Sequence, residues 1–125
     1  MIMTVTSRTL ATFALFGALA LAGQAFAHAH LASVAPADKA TIASAPKTID
    51  LSFTEGLEPK FSGVDITGPQ QQKIKTGEAV VSKDGKGLSV PLSEPLAPGA
   101  YSVEWHVLSV DGHKSNGTTS FTVKP

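Results

Sequence analysis

After residue 27 no apolar stripe recurs at helical spacing, and that absence constrains the fold more than any motif present. In its place stand short alternating or β-branched runs at 31–34, 49–53, 61–67, 78–82, 88–92, 100–110 and 118–123. Breakers separate them: Pro36, Pro46, Gly56 with Pro59, Gly68-Pro69, Asp84-Gly85, Pro98-Gly99 and Asp111-Gly112. Seven short strands in roughly a hundred residues predict an all-β domain, a seven-stranded antiparallel Greek-key sandwich or barrel. In the 100–110 run, Tyr101, Val103, Trp105 and Val107 share one face, and Ser102, Glu104 and His106 the other. The bulky set is expected to fill the space between the sheets, leaving His106 at the surface. The stretch Pro98-Gly99-Ala100-Tyr101 predicts a tyrosine corner, with the phenol bonding back to the preceding connection.

The first 27 residues read differently. One cation, Arg8, precedes an apolar run from Thr9 to Leu21, and the segment ends in the small-residue pattern Ala25-Phe26-Ala27. The run is shorter than the roughly 20 residues a membrane-spanning helix needs. The expectation is a signal peptide over 1–27, cleaved after Ala27, and an exported, soluble, monomeric β domain over 28–125. Ala27-His28-Ala29 also fits the cleavage pattern, and a cut there would make His30 the terminal residue.

Composition removes several function classes. Beyond the leader, 9 Lys stand against 10 Asp and Glu, which leaves no basic footprint for nucleic acid or an anionic membrane. No later stretch is apolar enough to span a bilayer. There is no cysteine, so neither disulfides nor thiolate chemistry are available, and both methionines, Met1 and Met3, lie in the leader. No phosphate loop, activated nucleophile or paired carboxylates for acid–base work are visible; Ser115 near His113 lacks a third partner.

What remains is metal chemistry. Cleavage after Ala27 would create a terminal histidine, whose amine and imidazole can chelate one ion. If the strands alternate in direction, the N-terminus shares a pole with the connections 54–60, 83–87 and 111–117. His28, Glu55 and the Asp111-Gly112-His113 turn are then expected at one end. An amine, two imidazoles and a carboxylate form a nitrogen-rich set that suits Cu(II), while the missing sulfur offers little to Cu(I). Each residue also has a plainer reading. Asp111-Gly112 is a common turn signal, and Glu55 is either a solvated loop carboxylate or a hydrogen-bond partner of a ligand nitrogen. His30 could instead bind Cu(II) with the amine and two deprotonated amides, a mode that requires a flexible terminus.

The chain resembles the CopC family of periplasmic copper-binding proteins. The resemblance spans the domain: His28-Ala29-His30-Leu31, Ala35-Pro36-Ala37, Leu51-Ser52-Phe53-Thr54-Glu55, Leu96-Ala97-Pro98-Gly99-Ala100-Tyr101 and Val103-Glu104-Trp105. Its most specific part is Ser109-Val110-Asp111-Gly112-His113-Lys114-Ser115-Asn116-Gly117. The resemblance implies a cupredoxin-like or immunoglobulin-like sandwich and a Cu(II) site at His28, Asp111 and His113, with Glu55 close to the metal. It implies a role in copper homeostasis, uptake or resistance, and an inner-membrane CopD-like partner. Where some members carry a methionine-rich Cu(I) loop, this chain has Thr67-Gly68-Pro69-Gln70-Gln71-Gln72-Lys73, which implies a Cu(II)-only member. The expected function is a non-catalytic Cu(II) carrier or buffer. The alternatives are a histidine-brace copper oxidase or oxygenase and a metal-free interaction module.

Overall fold

Two four-stranded sheets face one another in the computed structural model, which describes residues 29–125. The strands are β1 (Leu31–Ala35), β2 (Ala40–Ile42), β3 (Thr48–Phe53), β4 (Gly63–Thr67), β5 (Val80–Val81), β6 (Gly87–Pro91), β7 (Gly99–Leu108) and β8 (Lys114–Val123). One sheet has the order β1-β3-β6-β5 and the other β2-β8-β7-β4. The expected leader and His28 lie outside the described residues. No helix among the described residues is long and apolar enough to cross a membrane.

Period-two patterning fills the interface. Ile49, Leu51 and Phe53 of β3 and Leu88 and Val90 of β6 face Tyr101, Val103, Trp105 and Val107 of β7 and Phe121 and Val123 of β8, all buried. Phe53 meets Trp105 edge-on across the sheets, with ring centroids 5.1 Å apart at 68°. Tyr101 stacks on Phe121, and its hydroxyl donates to the Ala97 carbonyl at 2.6 Å, the tyrosine corner expected from the sequence.

The strand count differs from expectation by one. Ala40–Ile42 forms an eighth, short edge strand, and it pairs with β8 in parallel rather than antiparallel fashion. Both β1 and β8 start at the end of the sandwich where the 54–58 segment meets the β7–β8 turn. Since β2 is parallel to β8, β1 and β2 travel the same way. The turn between them contains a cis Ala35-Pro36 bond and is fastened to Ser120. The Ser120 amide donates to Asp38 Oδ1 at 3.0 Å, and the Lys39 amide donates to the Ser120 carbonyl at 2.6 Å. The extra strand therefore adds no reversal. The first traverse of the sandwich is split between two sheets, and the alternation that places the loops is preserved.

Candidate metal-binding pole

Four segments meet at one end of the sandwich. The Thr54 amide donates to the His30 carbonyl, the Leu57 amide to Gly85, the Val110 amide to Gly56 and the Glu58 amide to Leu108, at 2.8–2.9 Å. The 54–58 segment thus touches the N-terminal strand, the 83–87 turn and the β7–β8 hairpin at once. For the described residues, this is the clustering that strand direction alone predicted.

The hairpin itself is long and rigidly registered, with pairs running from Gly99↔Val123 to Leu108↔Lys114. Beyond the last pair, the Ser109 amide donates to the His113 carbonyl at 2.9 Å, closing a three-residue loop of Val110, Asp111 and Gly112. Gly112 has φ +93°, and nothing lies within 4 Å of a Cβ built there, so backbone conformation rather than space selects glycine. The result brings Asp111 and His113 together, each about half exposed, with His113 Nδ1 3.2 Å from Asp111 Oδ1.

Asp111 is prepared to stay ionised. Its Oδ1 accepts from the Ser109 hydroxyl and from the His113 amide at 3.3 Å. The Ser109 hydroxyl first, and the His113 side chain second, hold the carboxyl below its ordinary value. Ser109 is 1% exposed, so its hydroxyl is a fixed donor beneath the loop. An ionised carboxylate oxygen and an imidazole on one tight turn are hard and borderline donors, a pair suited to a divalent transition metal. Among the described residues no three His, Asp or Glu side chains converge to hold an ion by themselves.

The other sequence-selected residues are placed as follows. Glu55 is half-buried in the connection after β3, on the segment that contacts both the N-terminal strand and the hairpin. His30 is exposed at the same pole, with its amide donating to Thr54 Oγ1 at 2.9 Å. His106 is exposed on the outer face of β7, opposite Gly63 and Asn116. The 67–73 stretch is a tight polar turn: Thr67 bridges to Lys73, and the Gly68 amide donates to the Gln72 carbonyl at 2.8 Å. Residue-type reasoning missed Ser109 and Thr54. Neither serine nor threonine announces such a role, and only the closeness of each to a chosen residue could have suggested it.

Comparison with known proteins gives a consistent picture. The CopC domain family model matches residues 31–124. Protein YobA of Escherichia coli K12 is 51% identical over 100 residues, covering 79% of this chain and 81% of that protein. Copper resistance protein C of Xanthomonas campestris pv. juglandis is 43% identical over 124 residues, covering 94% and 97%. The crystal structure of CopC from Methylosinus trichosporium OB3b superimposes with a TM-score of 0.73 at 34% identity, covering 78% of this chain and 95% of that one.

Proposed function

Because this chain belongs to the CopC family, we propose that it is a non-catalytic Cu(II) carrier or buffer of the periplasm, serving copper homeostasis, uptake or resistance. Copper is its cargo. The observation that carries the reading is the Asp111–His113 pair, held 3.2 Å apart on a hairpin that shares its pole with the N-terminal strand. In this reading residues 1–27 are a signal peptide removed after Ala27, and His28 supplies its amine and imidazole beside Asp111 and His113. Residue 28 precedes Ala29 in the chain, at the pole where the Thr54 amide meets the His30 carbonyl. Ala29 is itself buried in the core next to the clamped His30.

The donor set selects Cu(II). It offers nitrogen and carboxylate oxygen, whereas residues 28–125 contain neither thiolate nor thioether. Glu55, half-buried beside the N-terminal strand, serves as a hydrogen-bond partner for the ligand amine or an imidazole. An inner-membrane CopD-like transporter is the recipient that family membership suggests. The non-catalytic assignment is supported by Trp105 and Tyr101, at 8% and 3% exposure: the one tryptophan and one tyrosine are core residues and form no platform for a polymer. The Asp111 carboxylate beside His113 would also crowd the open position that oxygen chemistry needs.

The test is a Cu(II) titration of two forms, one starting at His28 and one carrying an extra residue before it. Tight binding is expected in the first and lost in the second. Retention in the extended form would sink the terminal chelate. His113→Ala should abolish binding and His30→Ala should be tolerated. Oxidation of a test substrate by the copper-loaded protein with a reductant would favour the oxidase alternative instead.

A further inference from the structure

The N-terminal tripeptide His28-Ala29-His30 carries two incompatible ways of holding copper. One is the folded site just proposed. In the other, the free amine, the deprotonated amides of residues 29 and 30 and the His30 imidazole wrap a single Cu(II) ion in one plane. That second mode needs the His30 amide nitrogen as a ligand and the backbone of residues 28–30 free to close around the ion.

In the folded domain both requirements are blocked. The His30 N–H donates to Thr54 Oγ1 at 2.9 Å, and the Thr54 N–H donates to the His30 carbonyl at 2.9 Å. One threonine at the end of β3 therefore grips both polar groups of the His30 peptide backbone. On the other side, Ala29 is 1% exposed and belongs to the core cluster, so closing the backbone around an ion would pull its methyl group out of the apolar interior. The His30 ring, by contrast, is exposed and could turn to a metal as soon as the backbone is released.

We propose that Thr54 is a positioning residue that reserves the terminus for the folded site, by gripping the amide and carbonyl of His30 so that the backbone of residues 28–30 does not close around the ion. The proposal rests on the copper reading above. The exchange it suppresses balances simply. Copper gives up Asp111, His113 and the His28 imidazole, keeps the terminal amine and gains two amidate nitrogens and the His30 imidazole. The two amide protons pass to solvent. Thr54 touches no metal; it acts through the His30 backbone.

The experiment uses the chain beginning at His28, with Thr54→Val, Thr54→Ser and the double variant Thr54→Val/His30→Ala. Thr54 is an exposed residue, so these changes leave the packed interior intact, and the near-ultraviolet circular dichroism of Trp105 checks this. Without metal, hydrogen exchange at the His30 amide should quicken roughly five- to tenfold in Thr54→Val, the ratio of one net hydrogen bond, and stay slow in Thr54→Ser. With Cu(II), Thr54→Val should move the visible absorption to shorter wavelength, as added in-plane amidate nitrogens do. It should also release up to about two more protons per copper bound. Both changes should disappear in Thr54→Ser and in the double variant. Wild-type binding that survives His113→Ala overturns the reading of the site. Loss of binding on His113→Ala, together with an unchanged Thr54→Val spectrum and proton count, overturns this proposal alone. So does a wild-type His30 amide that exchanges at the unprotected rate.

Discussion

At the scale of single residues, the carboxylate on the hairpin is governed from below. Ser109 is buried and donates to Asp111, so the folded state favours the ionised acid. A group whose folded value is depressed adds stability above its unfolded value, about 3.9 for aspartate, and loses it as the pH falls through the folded value. Ser109→Ala should therefore raise the Asp111 carboxyl toward its ordinary value and reduce the stability lost on acidification. A carbon-13 titration of the Asp111 carboxyl measures this, and an unchanged midpoint would contradict the role given to Ser109. Asp111 and His113 were legible in the sequence because their residue types carry metal chemistry. Ser109 was not, since a serine becomes a fixed donor only when the fold buries it.

Among the elements, the β7–β8 hairpin does most to place the site, and its length was only half visible in the sequence. Tyr101, Val103, Trp105 and Val107 announced β7 by alternation. Lys114-Ser115-Asn116-Gly117 read as a loop because it lacks apolar residues and contains Asn-Gly. The structure makes it strand, because every position has a ladder partner on β7. Gly117 is required there: a Cβ would fall 2.5 Å from the Trp105 ring, which lies across it. Gly117→Ala should cost about 1–3 kcal/mol through overpacking and disturb the edge contact between Trp105 and Phe53. A lowered urea midpoint at unchanged slope, with altered tryptophan fluorescence, is the expected result; an unshifted midpoint would refute it. The short strand Ala40–Ile42 went unread for a different reason. Three residues are too few for alternation to register, and the contacts of Asp38 and Lys39 with Ser120 that dock it join segments about eighty positions apart.

For the whole molecule, the proposed site has copper join parts of the chain that folding has already gathered, so binding and stability are linked. A ligand bound only by the folded state adds about 2.7 kcal/mol at a hundredfold excess over its Kd. For a domain of this size that corresponds to a rise in Tm of roughly 10–20 °C. Cu(II) should give such a rise with the chain starting at His28, and none with His113→Ala. The rise should shrink in acid, where protons compete for the amine and imidazoles. A pH-independent shift measured by calorimetry would count against nitrogen ligation. The divided first traverse has a mechanical consequence. The chain leaves one sheet after β1 and joins the other as β2, lying parallel to the final strand β8. Tension applied between Ala29 and Pro125 would pull these two strands along their lengths in opposite directions. Their hydrogen bonds would be sheared together rather than unzipped singly, so this seam resists stretching although no covalent cross-link supports it.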